Sequence, residues 1–301
     1  MSIIFHDNTT GIIVKAVSGF YYVNSGEHVY ECKARGNFRH AKISPIVGDK
    51  VTFTPGDDLT GVIESILPRK NCLLRPTVAN IDKIIIVSSF ENPSPDTFLI
   101  DRLTAIAVFS GITPIIVFNK SDIGDFGNTP DIYKKAGFNT YVVSAKREDT
   151  LNSLKLEFKD CVCAMAGNSG VGKSSLINAL FGNLDLKTGE VSTALGRGRH
   201  TTRHTELFKN EFSGYIADTP GFSSVANVDN KFEFKQNLSN CFTDFAPYLN
   251  CKFTTCTHTC EIGCGVLRAI SEGKIEKSRH NSYVALLNEL KDVNSWNQNK
   301  G

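Results

Sequence analysis

The sequence predicts a multidomain α/β protein: a small N-terminal β-barrel, an α/β domain built around a glycine-rich loop, and a C-terminal helical region with a metal site. Three observations predict this class. Strand-type runs without a helical period fill residues 10–70, a strand, a glycine loop and a helix follow one another over residues 161–180, and cysteines and a histidine crowd into residues 251–264. At 301 residues and 41% hydrophobic composition, the chain can bury more than one core. We predict domains at residues 1–72, 73–225 and 226–301.

The N-terminal residues predict a small barrel, because five β-type runs are separated by glycine, asparagine and proline turns. The runs are Gly11–Val14, Phe20–Val23, His28–Cys32, Lys50–Phe53 and Gly61–Ile66. In and after the third run, cations cluster beside aromatic residues, a mixture that nucleic-acid grooves use. This basic cluster contains Lys33, Arg35, Arg39, His40 and Lys42 beside Tyr30 and Phe38. A solvated loop is the alternative interpretation of the same residues.

Two loops that follow strand-type runs have the residues needed to recognise guanine. The first loop consists of Asn119, Lys120, Ser121 and Asp122. It follows the β-branched run Ile115–Phe118, which places it at the carboxyl end of a buried strand. An ionised Asp122 can accept from the ring N–H and the exocyclic amine of guanine, whereas adenine offers no such donor pair. Taken alone, the four residues are also a common surface turn.

A second loop favours the guanine interpretation of the first. Its residues are Ser144, Ala145 and Lys146. They follow the strand-type run Tyr141–Val143 and resemble the second guanine loop of GTPases. In the first loop we expect Asn119 to brace the backbone and approach the guanine O6 edge, and the stem of Lys120 to lie along the face of the base.

The glycine-rich loop predicts a phosphate-binding site, because it lies between a strand-type run and a segment with helical spacing. Its residues are Gly167, Asn168, Ser169, Gly170, Val171, Gly172, Lys173 and Ser174, with Ser175 following in the helix. The glycines allow backbone N–H groups to point inward, and the helix N-terminus adds its positive dipole end. Lys173 should reach the β- and γ-phosphates, and the hydroxyl of Ser174 should bind Mg²⁺.

A motif that follows another strand-type run, together with a basic stretch, completes the predicted nucleotide site. The motif Asp218–Gly221 follows the apolar run Tyr215–Ala217, so Asp218 can hold Mg²⁺ through water and the Gly221 N–H can meet the γ-phosphate. The stretch Gly196–His204 contains Thr201 and Thr202, and we interpret it as the switch segment. We name Thr202 with Ser174 as magnesium ligands, with Thr201 as the alternative. A basic solvated loop is the other interpretation of this stretch.

The order of these motifs indicates a circularly permuted GTPase domain, because the guanine loops precede the phosphate loop. Gly221 is followed by Phe222, at the place where Ras-like proteins have a glutamine that orients the attacking water. A phenylalanine cannot position water by hydrogen bonding. Either hydrolysis is slow or another group serves, and we name His200 as the candidate because imidazole titrates near neutral pH.

The C-terminal cluster predicts a structural zinc site. Its four candidate ligands are Cys251, Cys256, His258 and Cys264. Three thiolates and one imidazole form a closed tetrahedral set for Zn²⁺. The ligand spacing is not that of a standard zinc finger, and Cys260 is a fifth possible ligand, so the choice among Cys256, His258 and Cys260 stays open at this point.

Together these motifs resemble those of the bacterial RsgA (YjeQ) GTPases, from about residue 70 to residue 290. The resemblance implies an N-terminal OB-fold, a circularly permuted P-loop GTPase domain and a zinc domain. It implies a GTPase that depends on the ribosome and acts late in maturation of the small subunit, with that subunit, its rRNA and GTP or GDP as partners. By position, His200 matches the catalytic histidine of the family. The implied cofactors are one structural Zn²⁺, held by Cys251, Cys256, His258 and Cys264, and Mg²⁺ bound with GTP.

Composition and length limit the other functions that the chain could have. The formal net charge of +2 is nearly balanced, so any RNA contact must come from local patches. No apolar run is long enough to cross a membrane, and Met1–Phe5 shows no secretory signal. The nine cysteines are an odd number, of which four are assigned to metal, which argues against a disulfide framework and fits a reducing compartment. We expect a cytoplasmic monomer without membrane contacts.

Two classes of function remain open from the sequence. The first is an enzyme whose GTP turnover is raised by the small ribosomal subunit. The second is a nucleotide-gated RNA-binding scaffold in which hydrolysis is incidental, which Phe222 makes reasonable.

Helical spacing over Val266–Ile270 and Tyr283–Leu290 predicts two C-terminal helices. Basic residues near the second helix could meet RNA phosphates or form an exposed turn, and they are Lys274, Lys277, Arg279 and His280.

Overall fold

A computed structural model of the chain describes residues 9–36, 38, 44–74, 77–182, 205–218 and 230–293. The strands are β1 (Thr9–Val17), β2 (Phe20–Ser25), β3 (His28–Ala34), β4 (Lys50–Pro55), β5 (Thr60–Ile66), β6 (Cys72–Leu74), β7 (Thr77–Ala79), β8 (Lys83–Ser89), β9 (Thr113–Asn119), β10 (Asn139–Val142), β11 (Val162–Ala166), β12 (Glu206–Lys209) and β13 (Tyr215–Asp218). The α-helices are α1 (Thr97–Phe109), α2 (Thr129–Lys135), α3 (Asn152–Lys155), α4 (Lys173–Phe181), α5 (Lys231–Cys241), α6 (Gly265–Ser271) and α7 (Lys277–Glu289).

The chain divides into two compact units. One is formed by the described parts of residues 1–82, 158–164 and 181–222, and the other by those of residues 83–157, 165–180 and 223–301. Strand β11 therefore begins in the first unit and ends in the second. The domain limits that we predict at 72/73 and 225/226 remain predictions.

The first unit contains the predicted small barrel. Strand β1 pairs antiparallel with β2 and with β4, β2 pairs with β3, β3 pairs parallel with β5, and β5 pairs with β4, which closes the ring. Alternate residues point inward and are fully buried, among them Ile13, Val51, Phe53 and Ile63. The five predicted runs and their closure into a barrel are confirmed.

The first unit extends beyond the barrel through the far end of β1. Lys15 of β1 pairs with Glu206 of β12 in the ladder, and Lys15 Nζ lies 3.1 Å from the Glu206 carboxylate. Strand β12 is antiparallel to β13, and β13 is parallel to the start of β11, with Tyr215 opposite Val162. The backbone of Asp218 thus ends a sheet strand, as predicted.

The second unit contains the parallel strands β8, β9 and β10. The runs Ile84–Val87 and Ile115–Phe118 are buried, as expected of strands covered on both faces. Helix α1 begins after Asp96, whose Oδ1 accepts a hydrogen bond of 3.0 Å from the Leu99 N–H and caps the helix. These elements are the α/β part of the predicted fold.

The C-terminal helices form a core with helix α1 of the same unit. Ala105 and Ile106 of α1 join a buried cluster with Phe234, Leu238 and Leu286 from α5 and α7. The two helices predicted after the cysteine cluster are confirmed as α6 and α7. Within the described residues, no helix combines the length and the apolar character that crossing a membrane requires.

Candidate nucleotide-binding site

The glycine-rich loop, which we call the phosphate loop, lies between β11 and α4, and both elements are in the predicted places. Gly167 and Gly172 have φ values of 133° and 90°, which L side chains rarely adopt. A Cβ atom on Gly167 would lie 2.1 Å from the Val87 carbonyl oxygen, and one on Gly172 would lie 2.6 Å from Asn119 Nδ2. Only glycine is therefore compatible with these two positions, and the loop packs closely on β8 and on the end of β9.

The side chain of Lys173 folds back onto the phosphate loop. Its Nζ donates to the carbonyl oxygens of Gly167 and Asn168, at 2.8 and 2.9 Å. Burial lowers the pKa of Lys173 from its ordinary value, because the surroundings disfavour the charged form. Ser174 and Ser175 open the helix and are exposed. A partly buried ammonium group beside the N-terminus of α4 is suited to binding an anion such as a phosphate group.

Asn119 joins the three predicted loops. It is 1% exposed at the end of β9, its Nδ2 donates to the Val171 carbonyl at 3.1 Å, and its Oδ1 accepts from the Ala145 N–H at 3.2 Å. One buried amide thus bridges the phosphate loop and the second guanine loop, which are separated in sequence. The brace that we predicted for Asn119 has this geometry.

Asp122 is held by the second guanine loop. Ser144 Oγ donates to Oδ1 at 2.7 Å, and Lys146 Nζ lies 3.0 Å from Oδ2. The hydrogen bonds from Ser144 and Lys146 lower the pKa of Asp122 from its usual value. A lowered pKa keeps the carboxylate ionised at neutral pH, which is the form that can accept two hydrogen bonds from guanine.

These loops enclose a cavity of about 270 Å³. Its lining residues are Asn119, Lys120, Asp122, Ile123, Ser144, Ala145, Lys146, Gly172 and Ser175. All but Ile123 belong to the residues predicted from the sequence. Ile123 is 50% exposed, and no pattern in the sequence around it assigns it to the site.

The segment Phe90–Asp96, which we call the covering loop, also belongs to this site and was missed from the sequence. Lys120 Nζ donates to the carbonyl oxygens of Glu91 and Asn92, at 3.2 and 3.4 Å, so its ammonium group holds this loop. A Cβ atom on Gly170 would lie 3.2 Å from the Asn92 carbonyl oxygen, which shows how closely the covering loop packs on the phosphate loop. Its proline-rich composition indicates a loop but does not indicate what the loop covers.

Several predicted site residues lie outside the described residues. They are His200, Thr201, Thr202 and Gly221, together with Phe222. Asp218 is described only through its backbone, at the end of β13. Their predicted roles remain predictions.

The four predicted zinc ligands converge in the second unit. The ligand atoms of Cys251, Cys256, His258 and Cys264 all lie within 4.8 Å of one another. His258 Nδ1 is 3.4 Å from Cys251 Sγ and 3.5 Å from Cys264 Sγ. Burial lowers the pKa of His258, which favours the neutral imidazole that a metal ligand must have. Three sulfurs and one nitrogen at this spacing fit a tetrahedral Zn²⁺.

Cys260 lies outside this ligand set. It is exposed, and its Sγ accepts from Thr259 Oγ1 at 3.7 Å. Helix α7 contacts the segment 251–264, which we call the metal loop. The Tyr283 hydroxyl donates to the Thr257 carbonyl at 2.9 Å, and His280 Nε2 lies 2.7 Å from the His258 carbonyl oxygen. The alternatives that the sequence leaves open are thereby reduced to one ligand set that includes Cys256 and His258.

The predicted basic surfaces are only partly available to a partner. In the barrel, Lys33 Nζ lies 5.1 Å from the centre of the Phe20 ring, whereas Arg35 Nε is paired with Glu64 at 2.8 Å. Lys33 and Arg35 line a cavity of about 320 Å³ with Tyr21 and Phe38. Arg39, His40 and Lys42 lie outside the described residues.

At the C-terminal helix the prediction of a phosphate contact is wrong for Arg279. Its side chain is 1% exposed and paired with Asp101 and Asp244. A basic residue in a basic run was therefore mistaken for a surface residue.

Comparison with known proteins identifies two family models along the chain. A model described as RsgA GTPase matches residues 66–227, and one described as RsgA N-terminal domain matches residues 10–63. Among curated relatives, the small ribosomal subunit biogenesis GTPase RsgA of Alkaliphilus metalliredigens is 40% identical over 287 residues, covering 93% of this chain and 97% of that protein. The protein of the same name from Halalkalibacterium halodurans is 42% identical over 288 residues, with 93% and 97% coverage.

Solved structures match over nearly the whole chain. YjeQ from Thermotoga maritima is 32% identical, with a TM-score of 0.79, and the match covers 95% of this chain and 100% of that one. YloQ, described as a circularly permuted GTPase, is 34% identical with a TM-score of 0.79, covering 98% and 99%. The permuted order predicted from the motifs and the three-part fold class agree with these matches.

Proposed function

Because the chain belongs to the RsgA family of GTPases, we propose that it hydrolyses GTP to GDP and phosphate in the late maturation of the small ribosomal subunit, which stimulates the reaction. The observation that carries this proposal is the single cavity into which Asn119, Asp122 and the second guanine loop project beside Gly172. Three sequence motifs of one chemistry would not converge in this way in a protein that binds no nucleotide.

The cavity supports a specific assignment for the base. Asp122 accepts from the two guanine N–H groups, and Ser144 and Lys146 hold its carboxylate in place. The Ala145 N–H donates to Asn119 Oδ1, which holds the second guanine loop beside the proposed position of the base. Lys120 lines the cavity and its ammonium group also holds the covering loop, so its stem is the part that we propose to lie along the face of the base.

The phosphate loop would bind the phosphates through its inward N–H groups and Lys173. The proposed phosphate-binding residues are Gly167, Asn168, Ser169, Gly170, Val171, Gly172, Lys173, Ser174 and Ser175, with Asp218 and Gly221 for the γ-phosphate. Mg²⁺ bound with GTP neutralises charge on the phosphates, and Ser174 and Thr202 would hold it. The exposed hydroxyl of Ser174 at the start of α4 supports its part in this set.

We assign a structural Zn²⁺ to Cys251, Cys256, His258 and Cys264, because the set is closed and leaves no ligand position for a substrate. The small subunit is the proposed partner, and we propose contacts to its rRNA through Lys33, Phe20 and Tyr21 of the barrel. We further propose that the protein acts as a monomer in the cytoplasm, where subunits are assembled.

His200 is the proposed catalytic residue, and the experiment that tests the function also tests this role. With purified small subunits, wild-type GTP turnover is expected to rise at least about tenfold above the rate without them. In His200→Ala, turnover with subunits is expected to fall by about 100-fold, because a general base or water-positioning group contributes about that much. Turnover is measured by phosphate release, and GDP affinity by titration.

The two outcomes separate the function from the residue assignment. A wild-type rate that subunits do not raise would favour the RNA-binding scaffold over the GTPase. Unchanged turnover in His200→Ala would remove His200 from the mechanism and leave the function standing. His28→Ala is the control, since it removes an exposed imidazole outside the switch segment and should leave turnover unchanged.

A further inference from the structure

Arg279 of helix α7 is the most deeply buried cation of the described residues, with a side chain 1% exposed. Its guanidinium donates to two carboxylates. One N–H reaches Asp101 Oδ1 of α1 at 2.7 Å, and two others reach Asp244 at 2.7 and 3.2 Å. The planar guanidinium group therefore bridges helix α1 and the turn that precedes the metal loop.

The surroundings keep this guanidinium charged. Burial disfavours the charged form, but Asp101 and Asp244 outweigh it and raise the pKa of Arg279 above its ordinary value. The ring of Phe242 lies 4.9 Å from the guanidinium carbon, and that of Phe138 lies 5.3 Å from it. A buried cation with two carboxylates and aromatic neighbours is strongly oriented, because any displacement leaves a charge unpaired.

From Asp101, packing continues directly to the phosphate loop. Asp101 is the fifth residue of α1, and Leu99 and Ile100 before it line a small cavity together with Gly167 and Asn168. The covering loop ends where α1 begins. Ser89 Oγ fixes that loop by donating to the Pro93 carbonyl at 2.8 Å. The first turn of α1 and the covering loop therefore both pack against the phosphate loop.

From Arg279, packing also continues to the metal loop. His280 and Tyr283 of the same helix contact the carbonyl groups of His258 and Thr257, within and beside the proposed ligand set. His258 Nδ1 in turn lies within 3.5 Å of the sulfurs of Cys251 and Cys264. Contacts therefore run from the metal loop to α7, and through Arg279 to Asp101 of α1.

We propose that Arg279 is a positioning residue for the nucleotide site, which couples metal binding at the cysteine cluster to the geometry of the phosphate loop. The inference rests on the proposed nucleotide and zinc sites. Arg279 touches neither ligand and acts through Asp101 and the first turn of α1. Thermodynamic linkage then requires metal and guanine nucleotide to strengthen each other's binding by the same factor.

The first test compares GDP affinity among variants at a temperature where each is folded, as judged by its melting curve. Arg279→Met is expected to weaken GDP binding by about fivefold or more. Arg279→Lys keeps the charge but cannot span both carboxylates, so it should restore part of the loss. Asp101→Asn is the milder variant, because Arg279 retains Asp244, and it should weaken GDP binding by about threefold.

The matched control uses another ion pair between the same two helices. Arg102 of α1 pairs with Glu289 of α7 at a partly exposed position. Glu289→Gln should bind GDP as the wild type does, because this partly exposed pair includes neither Arg279 nor the carboxylates of Asp101 and Asp244 that Arg279 bridges. A folded Arg279→Met with wild-type affinity would overturn the proposal. If that variant does not fold, an Asp101→Asn affinity equal to that of the wild type would overturn it.

The second test uses a readout that simple destabilisation would not change. Removing the metal from the wild type with a chelator is expected to weaken GDP binding by about fivefold, and in Asp101→Asn by a clearly smaller factor. An equal factor in both proteins, or none in the wild type, would contradict coupling through Arg279. A wild type that binds no GDP even with metal present would instead contradict the proposed function.

Discussion

Lys173→Ala is expected to lower GTP turnover by at least about 100-fold, the effect of removing one preorganised group that stabilises developing negative charge. Lys173 Nζ already lies within the phosphate loop, 2.8 Å from the Gly167 carbonyl and 2.9 Å from that of Asn168. The ammonium group therefore lies at the loop that would bind the phosphates, and alanine leaves this loop without its cation. Phosphate release in single-turnover experiments with small subunits measures the effect.

The control for this substitution is a lysine of similar chemistry outside the site. Lys159 is exposed, and Lys159→Ala should hydrolyse GTP at the wild-type rate. Because Lys173 is not part of the base cavity, Lys173→Ala should still prefer guanine over adenine nucleotides. A Lys173→Ala turnover within about threefold of the wild type would remove this lysine from the proposed mechanism.

Cys264→Ser is expected to release the metal and unfold the metal loop. Closed structural zinc sites contribute on the order of 10 kcal/mol of binding free energy, which is folding free energy where the loop has no core of its own. Cys264 is 4% exposed and lies in the same buried cluster as Val266 and Tyr283. The loss should therefore extend from the loop to helices α6 and α7. Metal content by elemental analysis and the melting curve measure both parts.

Cys260→Ser is the matched control, because this thiol lies in the same loop but outside the ligand set. It should retain one metal ion per chain and the wild-type melting temperature. The assignment would be contradicted if Cys260→Ser lost the metal, or if Cys264→Ser retained it with unchanged stability.

The parts of the structure that could be predicted from the sequence are those encoded by local patterns. The barrel strands and the phosphate loop follow from alternating apolar residues and from glycines at fixed spacing. The guanine loops follow from polar residues at strand ends, and parallel strands bring such ends to one edge of a sheet. The site at residues 119–122 and 144–146 could therefore be predicted, and the cavity brings both loops together.

The features that were missed depend on partners that are distant in sequence. Arg279 lies in a basic run that is typical of an exposed surface. Its burial is explained by its contacts with Asp244 and with Asp101, which is 178 residues away in the sequence. The composition of the covering loop is typical of an ordinary turn. Nothing in it indicates that Lys120 donates hydrogen bonds to the carbonyl groups of this loop. Ile123 joins the cavity because of the loops around it, which no local pattern encodes.

The most direct test of the account is a calorimetric comparison of GDP and ADP binding to the wild-type protein and to Asp122→Asn. The account predicts that the wild type binds GDP at least about 100-fold more tightly than ADP, because Asp122 pairs with two donors that adenine lacks. Asp122→Asn should lose most of this preference. Equal affinity of the wild type for the two nucleotides would contradict the claim that these loops form one guanine-nucleotide site.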